Sequence, residues 1–273
     1  MSNQFTETIL EAFESRTSGV MVTVVSSLVD CLDYVPGFKT LVYADGNSKP
    51  MIPRGRLSDA IYADAGHTLA SGKRQLRHYS LDGNPVNRRA TDSISIYYEP
   101  LALQDRLILV GAGHIAIPIC QIASILGFQV TVIDDRADYA NSERFPQAVE
   151  VVAADFTSAL SQLAIDSETY IILVTRAHAF DELALRQIAA SDARYIGMIG
   201  SRRRVLIVFQ NLVSSGVSPD VLHKVYAPIG VDLGAETVEE IALASVAEVI
   251  KVKRGGSAQS LRIADWQNAA ENS

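Results

Sequence analysis

The chain of 273 residues is 48% apolar and 20% charged, with a formal charge of −7 and a pI near 5.3. That balance excludes a disordered chain and argues against an electrostatic nucleic-acid binder. No apolar run reaches the roughly 18 residues needed to cross a bilayer, and the polar start MSNQFTETIL lacks the pattern of a secretory leader. The expectation is therefore a soluble cytoplasmic protein with no membrane and no nucleic-acid partner. The two cysteines, Cys31 and Cys120, stand in no Cys/His cluster, and the histidines at 67, 78, 114, 178 and 223 show no i, i+4 pairing. Neither a disulfide framework nor a metal site is expected.

Taken in chain order, Phe5, Ile9, Leu10 and Phe13 have helical spacing. Residues 21–28 and 40–43 read as strands, followed by the turn Asp45-Gly46-Asn47. Residues 57–69 read as a helix, and 74–79 and 93–98 as strands around a second turn, Asp82-Gly83-Asn84-Pro85. Pro100 follows the strand-like SISIYYE and marks a boundary, so residues 1–99 are read as a small α+β domain. From Arg106 onward, strand-like and helix-like runs alternate, as βαβ units around a parallel sheet require. Strands are predicted at 106–110, 129–133, 149–152, 170–174 and 195–199. Helices are predicted at 114–126, 157–163, 180–190, 203–213 and about 237–253. Thr237 and Glu240 have capping-box spacing at the start of the last helix, and Gly255 stops it. The predicted class is α/β: a Rossmann-like parallel sheet flanked by helices over residues 100–254, with the α+β domain before it and a peripheral tail, 255–273, after it.

The segment Gly111-Ala112-Gly113-His114-Ile115-Ala116 fits G-x-G-x-x-A, follows a strand and opens a helix, and Asp134 ends the next strand 23 residues after Gly111. That context is what the dinucleotide fingerprint requires. Gly111 permits a tight turn, Gly113 lets the backbone approach a pyrophosphate, and Ala116 packs the helix close to the strand. The helix start offers unpaired N–H groups to phosphate. His114 either donates to a phosphate or caps the helix. Asp134 is expected to accept ribose hydroxyls and repel a 2′-phosphate, which favours NAD over NADP, while Arg136 weakens that discrimination. Without a ligand, the same turn would be a relic of the fold.

Two further loops fall at strand ends, where open parallel sheets bind ligands. Thr175-Arg176-Ala177-His178-Ala179-Phe180-Asp181 offers a hydroxyl, a cation, an imidazole and a carboxylate. Thr175 is a cofactor-binding candidate, and His178 and Asp181 are catalytic candidates. The plainer alternative has Asp181 capping the next helix and His178 lying on the surface. Gly200-Ser201-Arg202-Arg203-Arg204 opens a helix with three arginines in its first turn. Cations there oppose the helix dipole, so Ser201, Arg202 and Arg203 are candidates for holding an anion. The loop 227–236 is shaped by a proline and two glycines, and its chemistry assigns it no role.

GAGHIA, VTVIDDR, TRAHAFDE, YIGMIGSRRR and APIGVDLGAETVEEIALASVAEVI, in that order, strongly resemble the carboxy-terminal domain of the XdhC/CoxI family of xanthine dehydrogenase accessory factors. The resemblance covers roughly residues 105–254. VTVVSS, the PG of residues 35–37 and FKTLVYADG resemble the family's first domain more weakly. The resemblance implies a factor that binds the molybdenum cofactor (molybdopterin), helps to sulfurate it and inserts it into a molybdenum hydroxylase subunit. It also implies a homodimer. On it, Gly111, Gly113 and Ala116 match the Rossmann turn, His178 and Asp181 the histidine–aspartate loop, and Ser201, Arg202 and Arg203 the GSRR loop. The first domain departs from the pattern. Where the family carries three glycines and then a glutamate, often with a cysteine between, residues 51–59 read MIPRGRLSD. Gly55 alone survives, an arginine stands for the cysteine and Ser58 for the glutamate. Cys31, the first domain's one thiol, is either a soft ligand or a small buried apolar residue. That departure keeps a second function open, an NAD(P)-dependent oxidoreductase acting on a small metabolite. There, His178 would be general acid–base and Arg202 or Arg203 would hold a substrate anion. Whether the chain is an enzyme is left open by the residues.

Overall fold

A computed structural model describes residues 2–29, 32–88, 90–101 and 103–262; Cys31 lies outside them. The chain divides into two units, Met1–Leu103 and Gln104–Ser273. The division falls after Leu103 because the strand expected to end at Tyr98 runs on through Pro100, which pairs with Val20.

The first unit contains α1 (Ser2–Glu14), β1 (Gly19–Ser27), β2 (Lys39–Tyr43), β3 (Ser48–Lys49), α2 (Arg56–Ser71), β4 (Gln75–Tyr79) and β5 (Ile94–Pro100). Its sheet is antiparallel in the order β3-β2-β1-β5-β4. Alternation places Val20, Val22 and Val24 of β1 and Ile94, Ile96 and Tyr98 of β5 on one face. There they share a core with Leu57, Ile61 and Ala65 of α2. The stretch 51–59, where the family pattern is lost, forms the approach and first turn of α2. Ser58 Oγ bonds both the N–H and the C=O of the N-cap Gly55. Ser58, in the place of the glutamate, is thus a buried helix cap.

The second unit contains β6 (Arg106–Val110), α3 (Ala116–Ile125), β7 (Gln129–Asp134), β8 (Glu150–Ala153), α4 (Phe156–Ser161), β9 (Thr169–Leu173), α5 (His178–Ile188), β10 (Tyr195–Met198), α6 (Arg202–Ser214), α7 (Pro219–Leu222) and α8 (Val238–Arg254). The sheet is wholly parallel, in the order β10-β9-β6-β7-β8. Leu107 and Leu109 of β6 point to one side, into a core with Ile119 and Ala123 of α3 and Val246 and Val249 of α8. Ile108 and Val110 point to the other, against Phe156 and Leu160 of α4, Leu185 and Ile188 of α5 and Val208 and Leu212 of α6. Burial on both faces is why these strands read as continuous apolar runs. Beside β10, Tyr226 N–H donates to Ile196 C=O and Met198 N–H to Tyr226 C=O, and Ile229 N–H returns to Met198 C=O.

The architecture is the predicted one: a helix-flanked parallel sheet preceded by an α+β unit. α8 begins and ends as its signals require, with a reciprocal Thr237–Glu240 capping box and Gly255 at φ 68°. Two elements, β3 and α7, are too short to carry a periodicity. α3 starts at Ala116 rather than His114, because Gly113, His114 and Ile115 form a turn closed by Ala116 N–H on Gly113 C=O. Among the described residues no helix is long and apolar enough to cross a membrane.

Candidate functional site

The glycine turn lies at the carboxyl end of β6, the central strand. From β6 the chain runs to β7 on one side, and after β8 crosses back to β9 on the other. Such a switch point leaves a crevice above the sheet. Gly111 is a glycine for an internal reason. It sits at φ +108°, and a Cβ would lie 2.6 Å from the Val174 carbonyl oxygen. Gly113 is different: a Cβ there would meet nothing within 4 Å. Nothing within the chain requires Gly113 to lack a side chain. Among the described residues the N–H groups of Gly113, His114 and Ile115 donate to no protein acceptor, and the N-cap Ile115 receives no side-chain cap. Pro118, third in the helix, occupies a position whose N–H would have no intrahelical partner. Ala116 is fully buried and His114 is exposed.

The expectation for Asp134 is corrected by its surroundings. Its side chain is buried, the residue being 1% exposed. Oδ2 accepts from Ala112 N–H at 2.8 Å and from Arg136 Nη2 at 3.0 Å, and Oδ1 from Arg136 Nε at 2.8 Å and Arg136 N–H at 3.1 Å. A carboxylate has about four lone-pair positions, and all are used within the chain. Asp134 therefore ties the glycine turn to β7 and has no position left for a ribose hydroxyl. Arg136 is held flat by this pairing, with its guanidinium 3.7 Å from the Tyr139 ring centroid. Arg144, which no motif marks, donates to the carbonyls of Ala112 and Tyr139 at 2.8 Å each.

The group on the rim is Asp135. Arg176 from the β9 loop grips its two oxygens at 2.5 and 2.8 Å. The Arg176 bond pulls the Asp135 carboxyl down to about 2, so this ion pair stays intact at neutral pH. Because the folded value is lowered, the pair's contribution is whole above about 4, the unfolded carboxylate range, and fades as pH falls toward 2. Arg176→Ala should return the Asp135 carboxyl toward its ordinary range, as an NMR titration would read. An unmoved value would remove Arg176 as the cause.

A third cluster joins the β9 and β10 loops. Thr175 Oγ1 donates to Asp181 Oδ1 at 2.5 Å. Arg204 donates through Nε and Nη2 to Asp181 Oδ2 at 2.9 and 2.5 Å, and through Nη2 to Thr175 C=O at 3.2 Å. Asp181 is 0% exposed. Burial pushes its carboxyl up, against the downward pull of the Thr175 hydroxyl and the Arg204 guanidinium. Its assignment as a catalytic group is thus corrected. It is closed off from solvent, and it caps no helix, since Ala177 is the N-cap of α5. It ties the Thr175 hydroxyl to the Arg204 guanidinium. A pattern does mark it: Asp181, Ala184, Leu185 and Ile188 lie at helical spacing on the buried face of α5. Ser201 is the N-cap of α6, its Oγ accepting from Arg204 N–H at 3.3 Å. Arg202 and Arg203 are exposed while Arg204, the third arginine of the run, turns inward. Gly200 makes room for it, since a Cβ would stand 3.0 Å from Arg204 Cδ. His178, the first residue of α5, is exposed.

The loop 227–236 is anchored from α8. Buried Glu248 accepts from Tyr195 Oη at 2.7 Å and Gly230 N–H at 3.0 Å. Burial, then the adjoining Glu248 charge, holds the Tyr195 phenol far above its usual range.

The carboxyl ends of β6, β7, β9 and β10 thus bring one rim of groups to the same edge: three unengaged amides, the Asp135–Arg176 pair, Arg136, His178 and two outward arginines. Such a rim combines N–H donors with cationic side chains, the chemistry that suits an anion. Among the described residues no group of three metal-ligating side chains occurs.

The family model of the XdhC Rossmann domain matches residues 107–249. An uncharacterized Escherichia coli protein, YqeB, is 30% identical over 217 residues, 78% of this chain and 40% of that protein. A Bacillus subtilis protein named as a probable xanthine dehydrogenase subunit is 30% identical over 160 residues, 59% of this chain and 46% of that one. The chain thus spans less than half the length of these curated relatives. In three dimensions it is similar to a Bacillus halodurans protein described as a xanthine dehydrogenase, at TM-score 0.50 and 20% identity over 93% of this chain and 97% of that one, which establishes likeness of fold alone. With the glycine turn, the TRAHAFDE loop and the GSRR loop all inside the matched span, the chain belongs to the XdhC family.

Proposed function

We propose that the chain is an accessory factor for a molybdenum hydroxylase of the xanthine dehydrogenase type, and that it carries a phosphate-bearing nucleotide or pterin cofactor at the β6–α3 turn. The observation that carries this is the contrast between the two glycines: Gly111 is required by the chain itself, while Gly113 keeps clear a space that nothing in the protein fills. Beside that space lie the amides of Gly113, His114 and Ile115 and the positive end of α3, which together suit a phosphate. Arg202 and Arg203 would add charge from the second rim, at about 1.5–3 kcal/mol per hydrogen bond to a charged group. A molybdenum cofactor would supply the redox-active metal, and this chain's groups would bind its phosphate, orient its ring system and shield it until transfer. The name of the Bacillus subtilis relative supports a xanthine dehydrogenase-type enzyme as the partner.

The oxidoreductase reading fares less well. His178 would be its acid–base, yet Asp181, the nearest carboxylate in its loop, is consumed by Thr175 and Arg204. Among nicotinamide nucleotides, the expected preference for NAD over NADP loses its acceptor, because arginines hold the oxygens of both Asp134 and Asp135.

Calorimetric titrations with NAD, NADP and pterin cofactor released from a hydroxylase test the proposal, alongside capture of the hydroxylase on the immobilised chain. Saturable pterin binding together with capture is expected. At a hundredfold excess over Kd, the ligand should add about 2.7 kcal/mol of stability. NAD binding without pterin binding or capture would favour the oxidoreductase, and binding of neither would sink both.

A further inference from the structure

The first unit has a cavity of its own. It measures about 400 Å³ and lies among the β2–β3 turn, the approach to α2 and the first turns of that helix, where Asn47, Ser48, Met51, Arg54, Asp59 and Tyr62 line it. A space of that size is enough for a small molecule. Its walls are fixed. Ser48 Oγ and Tyr62 Oη share a hydrogen bond of 2.7 Å, Ile52 N–H donates to Ser48 Oγ at 3.2 Å, and Thr40 Oγ1 donates to Pro50 C=O at 2.6 Å. Residues 48–52 are thereby pinned to α2 on one side and to β2 on the other. The charged groups are not engaged in the same way. Among the described residues, neither the Arg54 guanidinium nor the Asp59 carboxylate has a hydrogen-bond or ion-pair partner, and the two do not pair with each other. Other charges of this unit do find partners: Lys49 pairs with Glu11, and Arg74 with Glu99. The start of α2 is also open. Its N-cap, Gly55, supplies no side-chain cap, and the N–H groups of Arg56 and Leu57 donate to no protein acceptor among the described residues. Met51, 77% exposed, adds an apolar surface at the mouth.

From this we infer that the cavity binds a small zwitterion of the free α-amino-acid type, with its carboxylate on Arg54 and the amides that open α2, and its ammonium on Asp59. The balance of charge selects this class. A plain anion would satisfy Arg54 and be repelled by Asp59, and a plain cation would meet the reverse. A ligand with both signs on neighbouring atoms satisfies both groups at once. Its carboxylate gains a charge-assisted, two-pronged contact with the guanidinium and the favourable end of the helix dipole. A nucleotide, whose charges are all negative, suits this cavity poorly. Residues 51–59, where the chain departs from the family pattern, supply both charged groups.

The inference stands apart from the crevice reading, and NMR titration of the full chain tests it. The probes are the common free amino acids, acetate and phosphate as anions alone, and methylammonium as a cation alone. At least one amino acid at millimolar concentration should shift the amides of Asn47, Gly55 and Arg56 saturably, and the single-sign ions should not. Arg54→Gln and Asp59→Asn should each weaken that binding by at least about tenfold, the worth of a hydrogen bond to a charged group. Neither should move the melting temperature, because both side chains are exposed and unengaged. Three results would overturn the assignment. One is that no amino acid shifts those amides. Another is that binding survives either substitution unchanged. The third is that acetate or phosphate binds as tightly as any amino acid, which would mark a plain anion site.

Discussion

Arg204→Met should lower the stability of the second unit by about 3–5 kcal/mol, the usual cost of removing one partner from a buried ion pair. Its carboxylate partner, Asp181, is fully buried, and the lost guanidinium also leaves the Thr175 carbonyl without its donor. Urea denaturation should show a lower midpoint with the slope unchanged. Asp181→Leu/Arg204→Met should be less damaging than Arg204→Met alone, because no unmatched charge is then left inside. The pH dependence has a definite sign. Burial already raises the Asp181 carboxyl, and without Arg204 it rises further. The folded variant then binds a proton more tightly than the unfolded chain does. The deficit is greatest at neutral pH and shrinks as pH falls through the raised value. A deficit independent of pH would show that Asp181 was never charged.

Gly113→Val should abolish nucleotide and pterin binding, by at least a hundredfold in Kd or about 2.7 kcal/mol, while leaving the melting temperature where it was. The valine's Cβ enters a space where it meets nothing of the protein within 4 Å, so a ligand at the turn would feel it first. Gly111→Ala should do the reverse and destabilise. Its backbone strain alone is worth about 1–3 kcal/mol, and the Val174 carbonyl lies where its Cβ would go. If Gly113→Val binds like wild type, the cradle is elsewhere.

These two contrasts mark what a sequence can and cannot show of such a site. The glycine turn, the parallel sheet and the α8 caps are local patterns: apolar runs, a turn at a strand end, Thr237 three residues before Glu240. Each is decided by neighbours in the chain and is legible there. What is not legible depends on where a side chain turns. Asp134 stands at the position the fingerprint assigns, but spacing does not reveal that Arg136, two residues on, folds back and occupies its oxygens. Of three successive arginines, Arg204 faces inward because Ser201 is the N-cap and sets the phase of α6. Asp181 is readable in principle, since its spacing to Ala184, Leu185 and Ile188 puts it on the buried face. A polar residue on an apolar face resembles a site group even when it is half of an internal pair. Arg144 carries no signal at all, because its partners are carbonyls 32 and 5 residues away.

The segment running beside β10 has a consequence for solubility. A sheet's outermost strand ordinarily offers a row of vacant donors and acceptors to any other polypeptide. Here residues 226–229 occupy that row, and Ile229 lies so close over Gly197 that a Cβ there would be 2.6 Å from Ile229 Cδ1. The opposite margin, β8, is four residues long and begins with an exposed glutamate. Crowded neighbours thus find a covered margin on one side of the second unit's sheet and only a short, charged one on the other.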